Sequence, residues 1–316
     1  MNKEYDKNNR LNIGIDIGGT KINVGIVDTY GTVIDSIKIC SRKEKSCKKT
    51  VQDICKTINV LLERNGLLLE DIFFIGAGVP GTVSAEEGVV LCPNLLWTDE
   101  PVGKYFEQIM GRKVIVCQDT RSAALAEFLF GAAKNKKNVL CVSVGTGIGS
   151  GIILDGKLYH GAMNTSGEIG HNIFSKNGRT CECGRKGCLE RYASGSGILE
   201  SALEKMPEIF ENHPRTAETV FDFAKKGDKK AIDLIDECVD DLAIGIASAI
   251  NVLSVPVLVV SGGLCENDEL FLQPLFEKIY DYGYVGWAKE KKLECFKAYF
   301  KNDASMIGAA NLYQGL

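Results

Sequence analysis

Two stretches of this chain, far apart in sequence, have the same plan. Residues Ile15 to Asp28 read IDIGGTKINVGIVD, and residues Val142 to Asp155 read VSVGTGIGSGIILD. In each, a short apolar strand enters a Gly-rich turn, a second apolar strand follows, and a polar turn (DTYG or DGK) closes the segment, which is the pattern of a β-hairpin. Gly18 aligns with Gly145 and Asp28 with Asp155 at one constant offset. A hairpin repeated at such a distance predicts two domains of related topology, each opening on its own Gly turn. The alternative at this point is two unrelated hairpins. The length of 316 residues accommodates two cores at roughly 100 to 200 residues per domain.

Between and after the hairpins the pattern is α/β. Thr50 to Arg64 places apolar residues at helical spacing, Asp71 to Ile75 (DIFFI) and Lys113 to Cys117 (KVIVC) read as strands, and Asp119 opens the helical stretch DTRSAALAEFLFGAAK. An acid suits that helix start, and a strand-to-helix junction is where open α/β sheets place ligands. Helices follow between Arg191 and Ile250, then the strand VPVLVV and the turn SGGL. The apolar run Ala243 to Val260 is broken by Asn251 and Pro256, so it reads as a helix running into a strand and not as a membrane span. No compositional linker marks a boundary. The division expected is an N-terminal domain over 1–118 and a C-terminal domain over 119–302. A C-terminal helix (Ala304 to Gln314, within 303–316) would pack back on the first domain.

Composition removes several function classes. Lys and Arg number 37 against 41 Asp and Glu, a formal charge of -4, which gives little bulk attraction to nucleic acid or anionic membranes. The start MNKEYDKNNR has no apolar core of a secretory signal, so a cytoplasmic protein is expected, and most of the 12 Cys are expected to be reduced, buried thiols. Gly14 to Lys21 (GIDIGGTK) approaches P-loop spacing, but Thr20 and Lys21 are in the wrong order and a strand, not a helix, follows. Gly76 to Gly81 (GAGVPG) fits GxGxxG but leads into no amphipathic helix. What remains is a pair of Gly turns, one per domain, able to aim backbone amides at the β- and γ-phosphates of ATP. Either hairpin alone would suggest only tight turns.

A third pattern is metal-like. From His171 the chain reads HNIFSKNGRTCECGRKGC, and His171, Cys181, Cys183 and Cys188 supply an imidazole and three thiols, the closed tetrahedral set of structural zinc. Gly184 and Gly187 permit the turns that bring the sulfurs together.

Taken together, the segments DIGGTK (Asp16 to Lys21), GAGVPG, PNLLW (Pro93 to Trp97), QDTRSAALAE (Gln118 to Glu127), VGTGIGSG (Val144 to Gly151), GEIGH (Gly167 to His171), CECGRKGCLE (Cys181 to Glu190) and SGGL (Ser261 to Leu264) resemble the ROK family of bacterial sugar kinases and sugar-responsive repressors, over nearly the whole chain. The resemblance implies an actin-like α/β fold, two RNase H-like domains flanking an ATP/sugar cleft. It implies that Asp119 is the general base on the sugar hydroxyl and that Asp16 lies near Mg²⁺. Gly18, Gly19, Thr20, Lys21, Gly145, Thr146 and Gly147 would hold phosphates, with Gly262 and Gly263 on the nucleotide side. Asn94, Gln118, Asp119, Glu168, His171 and Glu190 would line the sugar, with zinc in the loop 171–188 fixing His171.

The implied activity is ATP-dependent phosphorylation of a hexose, glucose at its 6-hydroxyl first, in a homodimer. N-acetylmannosamine, fructose or allose kinases and a non-catalytic sugar-binding regulator are the alternatives. Family repressors carry a helix-turn-helix before DIGGT, whereas Met1 to Arg10 are too few for one. The family pattern also has Glu-Asn-Asp before the catalytic helix, with a second Asn two residues after the Asp. Here those positions are Cys117, Gln118, Asp119 and Arg121, which bears on the identity of the sugar.

Overall fold

The structure is a computed structural model that describes residues 10–42, 44–84 and 88–315. The reading made from Met1 to Arg10 falls, apart from Arg10, outside the described residues. The chain forms two compact units, one of residues 1–137, 151–166 and 299–316, the other of residues 138–150 and 167–298.

The first unit opens on β1 (Leu11–Ile17) and β2 (Lys21–Asp28), antiparallel and in register from Leu11 opposite Asp28 to Ile17 opposite Ile22. The DTYG turn follows because the Asp28 carboxylate accepts from the backbone N–H groups of Tyr30 and Thr32. Strand β3 (Val33–Cys40) is antiparallel to β2, and α1 (Cys47–Arg64) leads to β4 (Ile72–Val79), which lies parallel to β1. A small antiparallel sheet of β5 (Thr82–Val83), β6 (Val89–Cys92) and β7 (Trp97–Glu100) precedes α2 (Val102–Met110). Strand β8 (Ile115–Gln118), parallel to β4, then runs directly into α3 (Asp119–Leu129), and the sheet order is β3-β2-β1-β4-β8.

The second sheet has β9 (Val139–Val144), β10 (Ile148–Leu154) and β11 (Lys157–Leu158). Helices α4 (Glu190–Ala193), α5 (Gly195–Lys205), α6 (Ala217–Lys225) and α7 (Lys229–Leu253) lead to β12 (Val257–Ser261), and α8 (Gln273–Tyr282) and α9 (Val285–Ala288) lead to β13 (Glu294–Lys297). The order is β11-β10-β9-β12-β13, with β12 parallel to both β9 and β13. The apolar run from Ala243 resolves as the end of α7 and all but the last residue of β12, separated by Ser254 in the left-handed region and Pro256. Among the described residues, no helix is long and apolar enough to cross a membrane.

Helix α7 also carries a misplaced charge. Burial, with Glu237 and Asp240 nearby, pushes the Asp241 carboxyl up to about 6, against the pull of Arg179 and Lys205. An acid whose folded pKa is raised binds its proton more tightly in the native state, so native stability falls as pH rises from the unfolded value of 3.8 through about 6. Asp241→Asn is therefore expected to raise thermal stability at pH 7.5, by about 1 kcal/mol after allowing for solvent screening. The gain disappears below pH about 4, where both states are protonated. Melting curves of the two proteins at pH 7.5 and 3.5 measure this; equal melting temperatures at pH 7.5 would exclude it.

The last helix, α10 (Ala304–Ala310), returns to the first unit. Strand β1 alternates: Leu11, Ile13, Ile15 and Ile17 pack with Val51, Ile54 and Ile58 of α1, so Asn12, Gly14 and Asp16 point to the opposite face. There α10 comes so close that a Cβ on Gly14 would stand 2.0 Å from the Met306 carbonyl oxygen, and one on Gly76 2.1 Å from that of Ala309. The same helix packs on α3, where a Cβ on Gly308 would meet the Ser122 carbonyl oxygen. This packing holds α3 in the first unit. The boundary expected at Asp119 instead falls after Lys137, and residues 151–166 also belong to the first unit.

Candidate functional site

In the first unit the candidate residues gather at the carboxyl ends of β1, β4 and β8, where parallel strands deliver ligand-binding groups. Asp16 is level with Gly78 of β4, and Gly78 with Cys117 of β8, so the backbones of Asp16 and Cys117 are two strand spacings, about 10 Å, apart. A Cβ on Gly78 would lie 3.3 Å from the Asp119 Cα and 2.5 Å from the Ser305 Oγ; the residue is even-numbered with Gly76, so it faces the α10 side as Asp16 does. Burial pushes the Asp16 carboxyl above the ordinary carboxylate range; the nearby Ser305 hydroxyl opposes this, Asp303 adds to it and Lys38 opposes it. A carboxylate destabilised in this way gains from a nearby cation.

Asp119 is the first residue of α3, and its Oδ1 accepts from the Thr120 N–H at 2.7 Å. Gln118, the preceding N-cap residue, is buried and makes no side-chain cap. The Ser122 Oγ donates to the Gln118 carbonyl at 3.1 Å, which stiffens the junction. The first Gly turn is closed by the Gly18 N–H on the Lys21 carbonyl at 2.9 Å, and Thr20 and Lys21 are exposed. Asn94, exposed in the short helical turn Pro93–Leu95 between β6 and β7, lies beside this turn, its Cβ 3.5 Å from where a Cβ on Gly19 would be.

In the second unit the Gly145–Gly147 turn is built into its surroundings. The Gly145 N–H donates to the Gly147 carbonyl at 3.0 Å, and the N–H of Gly195, at the start of α5, donates to the Gly145 carbonyl at 2.8 Å. The Ser196 Oγ donates to the Thr146 carbonyl at 2.7 Å. Gly262 and Gly263 follow β12, whose Ser261 is level with Ser143 of β9. Both Gly turns of this unit thus leave the carboxyl ends of neighbouring parallel strands. Glu190 is tied to the first of them: its Oε2 accepts from the Ile148 N–H at 2.8 Å and fills the space a Gly147 side chain would need.

The metal-like set also assembles. His171 ends the turn Ile169–His171 that follows Glu168, and its Nδ1 is 3.7 Å from the Cys181 Sγ; the Cys183 and Cys188 Sγ atoms are 3.6 Å apart. All four ligand atoms lie within 4.8 Å of one another. Ligands at 2.3 Å from a tetrahedral zinc would be about 3.8 Å apart, so the residues fit the ion. Gly184 and Gly187 adopt φ of 86° and 83°, the left-handed conformation that reverses the chain between ligands. The Cys181 Sγ is 4.0 Å from the Glu190 Oε1, so the cluster and the Gly145 turn share a neighbour.

A model of the ROK family matches residues 12–315. The chain belongs to the ROK family. This ROK protein is 31% identical over 310 residues to the glucokinase of Halalkalibacterium halodurans, spanning 95% of this chain and 93% of that one. Its structure is similar to that of a ROK family glucokinase from Streptomyces griseus in complex with glucose and AMPPNP, with TM-score 0.80 and 28% identity, covering 96% and 98% of the two chains. The ROK hexokinase from Thermus thermophilus gives TM-score 0.82 at 29% identity, covering 95% and 96%. The actin-like α/β fold expected from the sequence is the fold of this ROK protein.

Two features of the ROK protein's site escape sequence reasoning. The bond from the Ile148 N–H to Glu190 joins residues 42 apart, and no local pattern signals it. Ser305, beside Asp16, comes from the last helix. Its only signal is that Ser305 and Asp303 sit at the start of a helix expected to return to the first domain.

Proposed function

We propose that this ROK protein is an ATP-dependent hexokinase that phosphorylates glucose at the 6-hydroxyl. The observation that carries the reading is Asp119, the first residue of α3 where β8 ends, at the same carboxyl end of the sheet as Asp16. Asp119 takes the proton from the attacking hydroxyl; an ionised carboxylate within hydrogen-bond reach suffices for that role. Asp16 holds Mg²⁺, which when bound neutralises charge on the β- and γ-phosphates. Gly18, Gly19, Thr20, Lys21, Gly145, Thr146 and Gly147 are the phosphate-binding residues in this reading. Gly262 and Gly263 sit on the nucleotide side.

Asn94, Gln118, Glu168, His171 and Glu190 complete the sugar site in this reading. Carboxylates and amides with fixed partners discriminate between vicinal hydroxyls. Glu190 is oriented by the Ile148 N–H, and zinc on His171, Cys181, Cys183 and Cys188 would hold the loop that His171 opens and that Glu168 and Glu190 flank. The likeness to glucokinases along most of the chain favours glucose. Gln118, a methylene longer than the Asn of the family pattern, keeps N-acetylmannosamine, fructose or allose open as the next candidates.

The test is ADP release with ATP and Mg²⁺ against glucose, mannose, fructose, allose, N-acetylglucosamine and N-acetylmannosamine. Glucose is expected to give the highest kcat/KM. A higher value for another hexose would replace the sugar and keep the kinase. Silence across the panel from zinc-loaded, ATP-binding protein would favour a sugar-binding regulator.

A further inference from the structure

Arg121, two residues beyond the proposed base, is the largest fully buried side chain among the described residues, at 1% exposure. Its guanidinium is spent on neutral acceptors of one segment: Nε donates to the Ser166 carbonyl at 3.2 Å, Nη2 to the Asn164 carbonyl at 2.9 Å and Nη1 to the Asn164 Oδ1 at 3.3 Å. The Asn164 Nδ2 in turn donates to the Val83 carbonyl of β5 at 2.8 Å. Burying a guanidinium against carbonyls is costly compared with an apolar side chain of similar size, so packing alone does not account for an arginine here.

The segment it holds is the excursion 151–166 by which the chain returns to the first unit before leaving again. Both ends of that excursion rest on α3 at Arg121. At its start, a Cβ on Gly151 would stand 3.1 Å from the Arg121 Cα and 2.4 Å from the Ala124 Cβ. At its end is Ser166, whose carbonyl the Arg121 Nε holds. Two residues later comes Glu168, and through Asn164 and Val83 the same network reaches the small β5–β7 sheet whose β6–β7 connection carries Asn94.

We propose that Arg121 is a positioning residue for the sugar. It touches neither substrate nor base, and sets the segments that present Asn94 and Glu168, so that it tunes sugar affinity and choice without taking part in phosphoryl transfer. This rests on the hexokinase reading above. It accounts for an arginine where the family pattern has the shorter Asn, which spans none of these distances.

The test is steady-state kinetics of Arg121→Asn and Arg121→Lys, with Asn164→Gly as a milder variant. Asn164 has φ of 53°, a conformation glycine adopts freely, so this last change removes the side chain without backbone strain. Loss of a buried hydrogen-bonded arginine is expected to raise the sugar KM by about tenfold or more in Arg121→Asn, to change the preference among hexoses, and to leave kcat and the ATP KM within about twofold. Lys, with one point charge in place of a planar fork, falls between. Melting temperatures that drop while sugar KM and hexose preference stay at wild-type values would make Arg121 purely structural and overturn the proposal. If Arg121→Asn does not fold, Asn164→Gly decides by the same readouts. Wild-type protein inactive on every hexose would instead remove the hexokinase reading, and this inference with it.

Discussion

Asp119→Asn is expected to cut kcat for hexose phosphorylation by about a thousandfold, within the range that general-base removal produces. The substitution is nearly isosteric, and an amide oxygen still accepts from the Thr120 N–H that the Asp119 Oδ1 now engages, so the start of α3 survives. What is lost is the capacity to take a proton while the hydroxyl attacks. Sugar affinity, measured by calorimetry, should stay within about threefold, because an interaction made only in the transition state leaves ground-state binding intact. A variant with kcat near that of wild type would remove Asp119 from the role of base. A variant that neither binds sugar nor melts cooperatively would mean that Asp119 works as part of the helix start.

Removing the proposed zinc is the second perturbation expected to have a large effect. Freshly purified protein is expected to hold about one zinc per chain, since the imidazole and three thiolates make a full tetrahedral set. Stripping it with a strong chelator, or replacing Cys183 or Cys188 by Ser, should lower the melting temperature by about 10 °C or more, because a structural zinc contributes several kcal/mol of folding free energy. Without zinc, the loop keeps backbone bonds such as those from Phe174 and Ser175 N–H to the Gly187 carbonyl, and the bonds of Arg179 to the Tyr192 hydroxyl, the Arg191 carbonyl and Glu204, but nothing then draws His171 and the three cysteines together. Sugar KM should rise in parallel, since Glu168 and Glu190 flank the loop on either side. Elemental analysis without zinc, together with a melting temperature indifferent to chelator, would exclude the metal centre.

Local pattern carried a good part of this structure. The β1–β2 hairpin and the rejection of a P-loop follow from residues within one turn of each other: Lys21 opens a strand, as INVGIV predicts. The start of α3 at Asp119 and the meeting of His171 with the three cysteines were also readable, because residue type and spacing are themselves the signal. The division of the chain was not. It depends on Gly14, Gly76 and Gly308, whose missing side chains let α10 settle between β1, β4 and α3, and a glycine in a strand does not announce what approaches it. Arg121 shows the same gap. In the sequence it is a charge on a helix beside an acid, and only Asn164 and Ser166, more than forty residues on, explain why it is buried.

The route of the chain has a consequence for its synthesis. The first unit supplies the opening strands but is finished by α10, whose Met306, Ile307, Ala309 and Ala310 are almost wholly buried. As the chain emerges, the face of β1 and β4 around Gly14 and Gly76 waits uncovered until residues 304–310 arrive, while the last residue of the second unit, Ala298, has already been made. The unit begun second is therefore the one free to close first. Until then the earlier sheet is an incomplete intermediate with one face uncovered, the kind of species that chaperones hold.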